Sequence, residues 1–171
     1  RRQGMDEVRQ ALAAELALPD AATMTVILVR VMVAAALGAV IGWERELKGR
    51  AAGLKTHILV SVGSALFVLA PTLAGVDGGD NTRVMQGIVS GIGFLGAGAI
   101  LRSRGGERVE GLTTAASIWL TAAIGMAAGI GQEMVALVTT VLAFLVVGAV
   151  PMLIGRTPSH RNAGAGLDRR R

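Results

Sequence analysis

The chain of 171 residues contains no cysteine and no tyrosine. Disulfides and thiolate metal sites are therefore excluded, and the redox compartment leaves no mark on the sequence. Only two histidines are present, His57 and His160. The stretch Gly87-Ile88-Val89-Ser90-Gly91 lacks the GxSxG spacing of a nucleophile elbow. With so few groups able to move protons, no enzymatic activity and no cofactor are expected. Charge is also scarce, at 17% of residues, where soluble domains carry roughly 25%. Hydrophobic residues instead reach 52%, glycine contributes 24 residues, and the mean hydropathy is +0.57. That balance names lipid as the main solvent, and abundant glycine suits close helix packing in a bilayer.

A hydrocarbon core about 30 Å thick requires about 20 apolar helical residues. Five stretches qualify: Met24–Trp43, Ile58–Gly75, Val84–Leu101, Thr113–Gly131 and Met134–Ile154. The spacing predicts an all-α fold, a polytopic bundle of five transmembrane helices over residues 24–154. Residues 1–23 lack the apolar core of a signal peptide and are expected to form an extracytoplasmic segment with a short amphipathic helix over Asp6–Leu18. Residues 155–171 form a basic cytoplasmic tail, in which Arg169–Arg171 either mark topology or attract anionic lipid.

Five crossings divide the Lys and Arg residues unequally. One side holds Arg1, Arg2, Arg9 and Arg83. The other holds Arg45, Lys48, Arg50, Lys55, Arg102, Arg104, Arg108, Arg156, Arg161, Arg169, Arg170 and Arg171. Cytoplasmic loops carry the basic excess, so the N-terminus is expected outside and the C-terminus inside. The formal net charge of +5 is thus a topology signal confined to loops. It does not form the coherent basic stripe of a nucleic-acid partner.

An offset of 58 residues aligns Leu37-Gly38-Ala39 with Leu95-Gly96-Ala97 and, without a gap, Gly53-Leu54-Lys55-Thr56 with Gly111-Leu112-Thr113-Thr114. Seven of the twenty pairs between Leu37 and Thr56 are identical. The first and third spans run the same way, so spans 1–2 and 3–4 are expected to form a parallel pseudo-repeat about an axis along the membrane normal. In each copy the glycine permits a bend, and Thr56 or Thr114 is placed to satisfy free N–H groups at a helix start.

Few polar groups enter the apolar segments. Arg30 lies six residues into the first span, about 9 Å from its end. Such a charge is costly and often functional. It is read either as a structural clamp, with Ser90, Gln86 or Asp80 as its expected partners, or as a contact for a ligand. The third span carries Gly87, Gly91, Gly93, Gly96 and Gly98. Its formal GxGxxG is not a dinucleotide loop, because no strand precedes it; these glycines are read as a helix-packing face, which places span 3 at the centre. Trp43 is a plausible interfacial anchor, and Glu44 and Lys48 have favourable i,i+4 spacing. Glu44 and Glu46 are weak candidates for an oxygen-ligated divalent ion, and no metal site is expected. His57 is read as an interfacial hydrogen-bonding residue.

Three stretches together are distinctive. They are Ile41-Gly42-Trp43-Glu44-Arg45-Glu46 followed by Ala52-Gly53-Leu54-Lys55-Thr56-His57, then Val89-Ser90-Gly91-Ile92-Gly93-Phe94-Leu95-Gly96-Ala97-Gly98, then Gly111-Leu112-Thr113-Thr114-Ala115-Ala116-Ser117. In this order and spacing the chain resembles the MgtC/SapB family of bacterial membrane proteins, over roughly Arg30–Gly131. The resemblance implies a multi-pass inner-membrane protein linked to growth in low magnesium, to virulence through survival inside host cells, and to restraint of the F-type ATP synthase. The positions it carries over are Arg30, Glu44, Arg45, Glu46, Gly53, Thr56, His57, Arg83, Ser90, Gly91, Gly93, Gly96, Gly98, Gly111, Thr113 and Thr114, none with a catalytic role. Longer members add a soluble domain after the last span, and the chain is expected to correspond to the short, SapB-like form.

Two functions compete. The five spans contain no Asp or Glu, whereas acid rings usually line cation pathways and Mg²⁺ is bound through carboxylates and retained waters. A regulatory module is therefore preferred. It would bind the bilayer and itself, as a homodimer or other homo-oligomer, or another membrane protein such as the ATP synthase. A magnesium or other ion transporter, working as an oligomer, is the alternative.

Overall fold

A computed structural model describes residues 2–76, 78–101 and 111–149. These residues form six α-helices: α1 (Arg2–Glu15), α2 (Ala21–Leu47), α3 (Leu54–Leu73), α4 (Gly78–Leu101), α5 (Leu112–Gly129) and α6 (Glu133–Gly148). No strand occurs among the described residues. The helices α2 to α5 are long and apolar enough to cross a membrane, as the sequence predicted for the first four spans. The expected fifth span corresponds to α6, which has 16 described residues. Its last five expected positions, 150–154, and the basic tail lie outside the described residues.

Glycines on α2 and α5 determine which helices meet. A Cβ on Gly38 would lie 2.8 Å from the His57 carbonyl oxygen, and one on Gly42 would lie 2.8 Å from the Leu54 Cα. Cβ atoms on Gly125 and Gly129 would overlap the backbone carbonyls of Ser61 and Ala65. Two GxxxG pairs, Gly38/Gly42 and Gly125/Gly129, thus clasp α3 from either side. Ser61 reinforces the first contact by donating its hydroxyl to the Ala34 carbonyl at 2.7 Å. The buried core follows these contacts, with Ala34, Ala65 and Ala128 fully buried and Ile124 nearly so.

This arrangement corrects the expectation that span 3 is central. The central helix is α5, which packs against α2, α3, α4 and α6, whereas among the described residues α4 touches α3 and α5 alone. Of the five glycines expected to pack, Gly96 meets Ala115, its Cβ position lying 3.5 Å away; Gly87, Gly91, Gly93 and Gly98 have nothing within 4 Å. The reason is steric competition. α3 already offers its small residues Ser61 and Ala65 to α5, so α4 is left on the flank.

The 58-residue offset recurs locally. Leu54 and Leu112 both open helices, and Gly38 and Gly96 face residues 57 and 115, themselves 58 apart. The caps differ, however. Gly53 has φ −107°, while Gly111 has φ +94°, a left-handed conformation that favours glycine.

The amphipathic helix expected within residues 1–23 is α1. Met5, Val8 and Leu12 are all exposed on it, and it packs against no other helix among the described residues.

Candidate functional site

The polar residues collect at the two ends of the bundle. At one end, α2 terminates in Glu44-Arg45, and both side chains are buried. Arg45 Nε donates to Glu44 Oε2 at 2.7 Å. The other carboxylate oxygen pairs with Lys48 Nζ, one helical turn on, as the i,i+4 spacing predicted. Lys48 also donates to the carbonyls of Val147 at 3.2 Å and Gly148 at 3.5 Å. Those carbonyls end α6 and carry the negative end of its dipole. Moreover, the residue four beyond Val147 is Pro151, which has no N–H to donate.

Glu46 is exposed and accepts from the Leu54 N–H at 2.9 Å. It thereby satisfies a free donor at the start of α3. That role was expected of Thr56 and Thr114. Neither performs it: α3 and α5 have no side-chain cap bond at their glycine N-caps. Thr113 is exposed and Thr114 is buried, the latter offering its carbonyl to Ser117 Oγ at 2.8 Å. Because residues two apart do not share a helix face, Glu44 and Glu46 point apart and form no joint ligand set. Among the described residues, no three His, Cys, Asp or Glu side chains come together.

His57, in the first turn of α3, is fully buried among the helices. Its Nδ1 lies 2.9 Å from the Gly53 carbonyl, and a carbonyl only accepts, so Nδ1 carries a proton. Nε2 lies 3.2 Å from Ser117 Oγ on α5. The imidazole thus ties α3 to α5 directly beneath the Gly38/Gly42 contact.

At the opposite end Arg30 is half-buried. Its Nη1 donates to the Gly129 carbonyl at 3.0 Å, and its guanidinium lies over Gly131, where a Cβ would sit 2.6 Å from Nη2. The expected partners are therefore replaced. Asp80 instead faces Arg83 at 3.9 Å, both exposed, and Gln86 and Ser90 are exposed on α4. Between α3 and α4 runs an apolar crease of about 440 Å³, lined by Ser64, Phe67, Val84, Gly87, Ile88, Gly91, Ile92 and Leu95.

The structure adds residues that the sequence reading missed. Ser61, Ser117, Gly125 and Gly129 form the α3–α5 interface; the GxxxG at 125–129 was a visible signal. Asn81 is also buried. Its Nδ2 donates to Thr72 Oγ1 at 3.0 Å, and it gave no such signal, being one amide in a loop-like stretch.

The sequence matches the MgtC family over residues 31–155. The chain belongs to the MgtC family. It is 44% identical over 127 residues to Protein SrpB of Synechococcus elongatus, covering 68% of this chain and 70% of that protein. It is 40% identical over 126 residues to the Putative magnesium transporter YhiD of Escherichia coli, covering 70% of this chain and 58% of YhiD. It is 44% identical over 115 residues to Protein MgtC of Salmonella typhimurium, covering 67% of this chain and 48% of that protein. The chain therefore spans only about half to 70% of these curated relatives. No solved structure matches it. As an MgtC family member with several apolar helices, it is a multi-pass membrane protein.

Proposed function

We propose that this MgtC family chain is a membrane-embedded regulatory module, acting by helix-to-helix binding of itself or another membrane protein. The processes it would serve are magnesium homeostasis or modulation of the F-type ATP synthase, as the family resemblance implies. It would sit in the bacterial inner membrane with its N-terminus outside, a placement supported by the basic excess on the opposite side.

One observation carries this reading. Polar groups inside the bundle are engaged in holding helices together, whereas α4 turns Gln86, Ser90 and open glycines outward. Arg30 caps α5, Glu44 is held by Arg45 and Lys48, and His57 bridges α3 and α5. None of these is set out as a cation path. A transport role is the second reading, favoured by the word transporter in the name of YhiD.

Reconstitution separates the two. A module gives no saturable flux of radiolabelled Mg²⁺ into proteoliposomes. Saturable flux that disappears when Glu44 is replaced by Gln, in protein that remains folded, would establish transport instead.

A further inference from the structure

One side of α1 is apolar and has no helix to pack on. Each residue turns an α-helix by about 100°, so Met5, Val8 and Leu12 form one row along α1, and all three are exposed. Leu16, just past the helix end, continues the row; its N–H still donates to the Leu12 carbonyl at 3.0 Å. Gln10 lies on the opposite side, flanked by Asp6 and Glu7. Among the described residues no other helix touches α1.

Such a helix needs cover to persist. Isolated helices shorter than about 12–15 residues are marginal in water, and packing of an amphipathic face is what normally stabilises them. α1 has 14 residues. Its tether says where the cover is. Six Cα-to-Cα steps join Glu15 to Ala21, the first residue of the membrane-crossing α2. At full stretch they span about 21 Å, so α1 is held beside the bilayer that α2 enters. The link itself exposes Leu16 and Leu18. Residues 17–20 are not helical, and Pro19 has no N–H with which to continue α1 into α2, so the two helices are not held in line.

Two other partners fit the row less well. From Met5 to Leu16 it covers fewer than two heptads, whereas a coiled coil with a second copy calls for three to four. A strongly charged partner has little to recognise, because Asp6, Glu7 and Glu15 stand against Arg2 and Arg9.

We propose that α1 lies flat on the membrane that α2 crosses, with Met5, Val8, Leu12 and Leu16 sunk below the lipid headgroups of the leaflet nearest Ala21. A helix that is polar overall but apolar along one side takes this position, its apolar face entering the headgroup–acyl boundary by about 5–10 Å. Arg9 borders the row, where its stem lies along the interface while the guanidinium stays in water. Acids outnumber bases on α1, so apolar contact holds it and anionic lipid is not required. The placement is the same whether the chain regulates or transports.

The absence of cysteine lets single labels report on each side of α1. Val8→Cys, Leu12→Cys, Glu7→Cys and Gln10→Cys are made in the full chain, labelled with an environment-sensitive fluorophore and reconstituted in phosphatidylcholine vesicles. Labels at 8 and 12 are expected to shift to the blue and to be quenched by doxyl-bearing lipid. Labels at 7 and 10 are expected to be quenched by iodide supplied on both sides of the membrane. Adding phosphatidylglycerol should leave this contrast unchanged. Leu12→Asp should release the helix, exposing a label at position 8 to iodide, while the melting temperature stays the same because no other described helix touches α1. Equal iodide quenching at all four positions would overturn the proposal. So would labels at 8 and 12 that neither quencher reaches, or disulfide-linked homodimers of Val8→Cys or Leu12→Cys, since a protein surface would then cover the row. Lipid quenching that appears only with phosphatidylglycerol would overturn it too, by showing that apolar contact does not suffice.

Discussion

A guanidinium inside an apolar helix needs an acceptor, and Arg30 finds one at the end of another helix. The turn after α5 already consumes two of the last carbonyls: Gln132 N–H donates to Ala127 at 2.8 Å and Gly131 N–H to Ala128 at 3.1 Å. Gly131 has φ +83°, the left-handed residue of this cap. The Gly129 carbonyl is the one left for Arg30. Replacing Arg30 with Met should therefore destabilise the fold by about 1.5–3 kcal/mol, the range for a hydrogen bond to a charged group; Arg30→Lys should cost less. Thermal unfolding in detergent, followed by monodisperse elution, measures this, and an unchanged melting temperature for Arg30→Met would refute the clamp. The sequence marked Arg30 as unusual but pointed to side-chain partners. Its acceptor is a main-chain carbonyl 99 residues away. Every residue has a carbonyl, so nothing in the composition could mark this one.

At the scale of helices, similar glycine patterns have opposite fates. Gly125 and Gly129 touch the backbone of α3, while Gly91 and Gly98 face open space. Gly125→Leu should accordingly prevent folding, and even Gly125→Ala should cost about 1–3 kcal/mol through overpacking. Gly98→Leu should leave the monomer as stable as before or slightly more so, since leucine favours helix over glycine. Expression and melting temperature of the three variants check the contrast; equal damage from Gly98→Leu would show that the α4 face is packed within the chain. The number and order of the first four spans were legible because hydrocarbon thickness fixes helix length. Helix neighbours were not, because a glycine count says nothing about what lies opposite. The informative feature was a second small pair at the same spacing, Ser61 and Ala65 on α3. The 58-residue offset did foretell that Leu54 and Leu112 open helices, but not that Glu46 would satisfy the first N–H of α3.

Across the whole molecule, α2 acts as a gauge of thickness. Arg30 and Lys48 are eighteen residues apart, five helical turns and about 27 Å, so they lie on one face of α2 with roughly a hydrocarbon thickness between them. Arg30 reaches the turn before α6, and Lys48 reaches the carbonyls that end it. The 16 residues of α6 therefore run alongside the stretch of α2 from Arg30 to Lys48, about 24 Å. This favours a fifth crossing despite the helix being short, and with five crossings the chain ends face opposite sides. Cysteine labelling tests the arrangement together with its direction. In intact spheroplasts, Gln132→Cys in the turn between α5 and α6 should react with a membrane-impermeant maleimide. Arg50→Cys, beyond the end of α2, should react only after the membrane is opened. The basic excess lies at the Arg50 side, and translocating it is what the membrane resists. Labelling in the reverse order would mean that charge bias does not orient this chain. Labelling of Gln132→Cys and Arg50→Cys from the same side would mean that α3 to α5 do not cross in alternation.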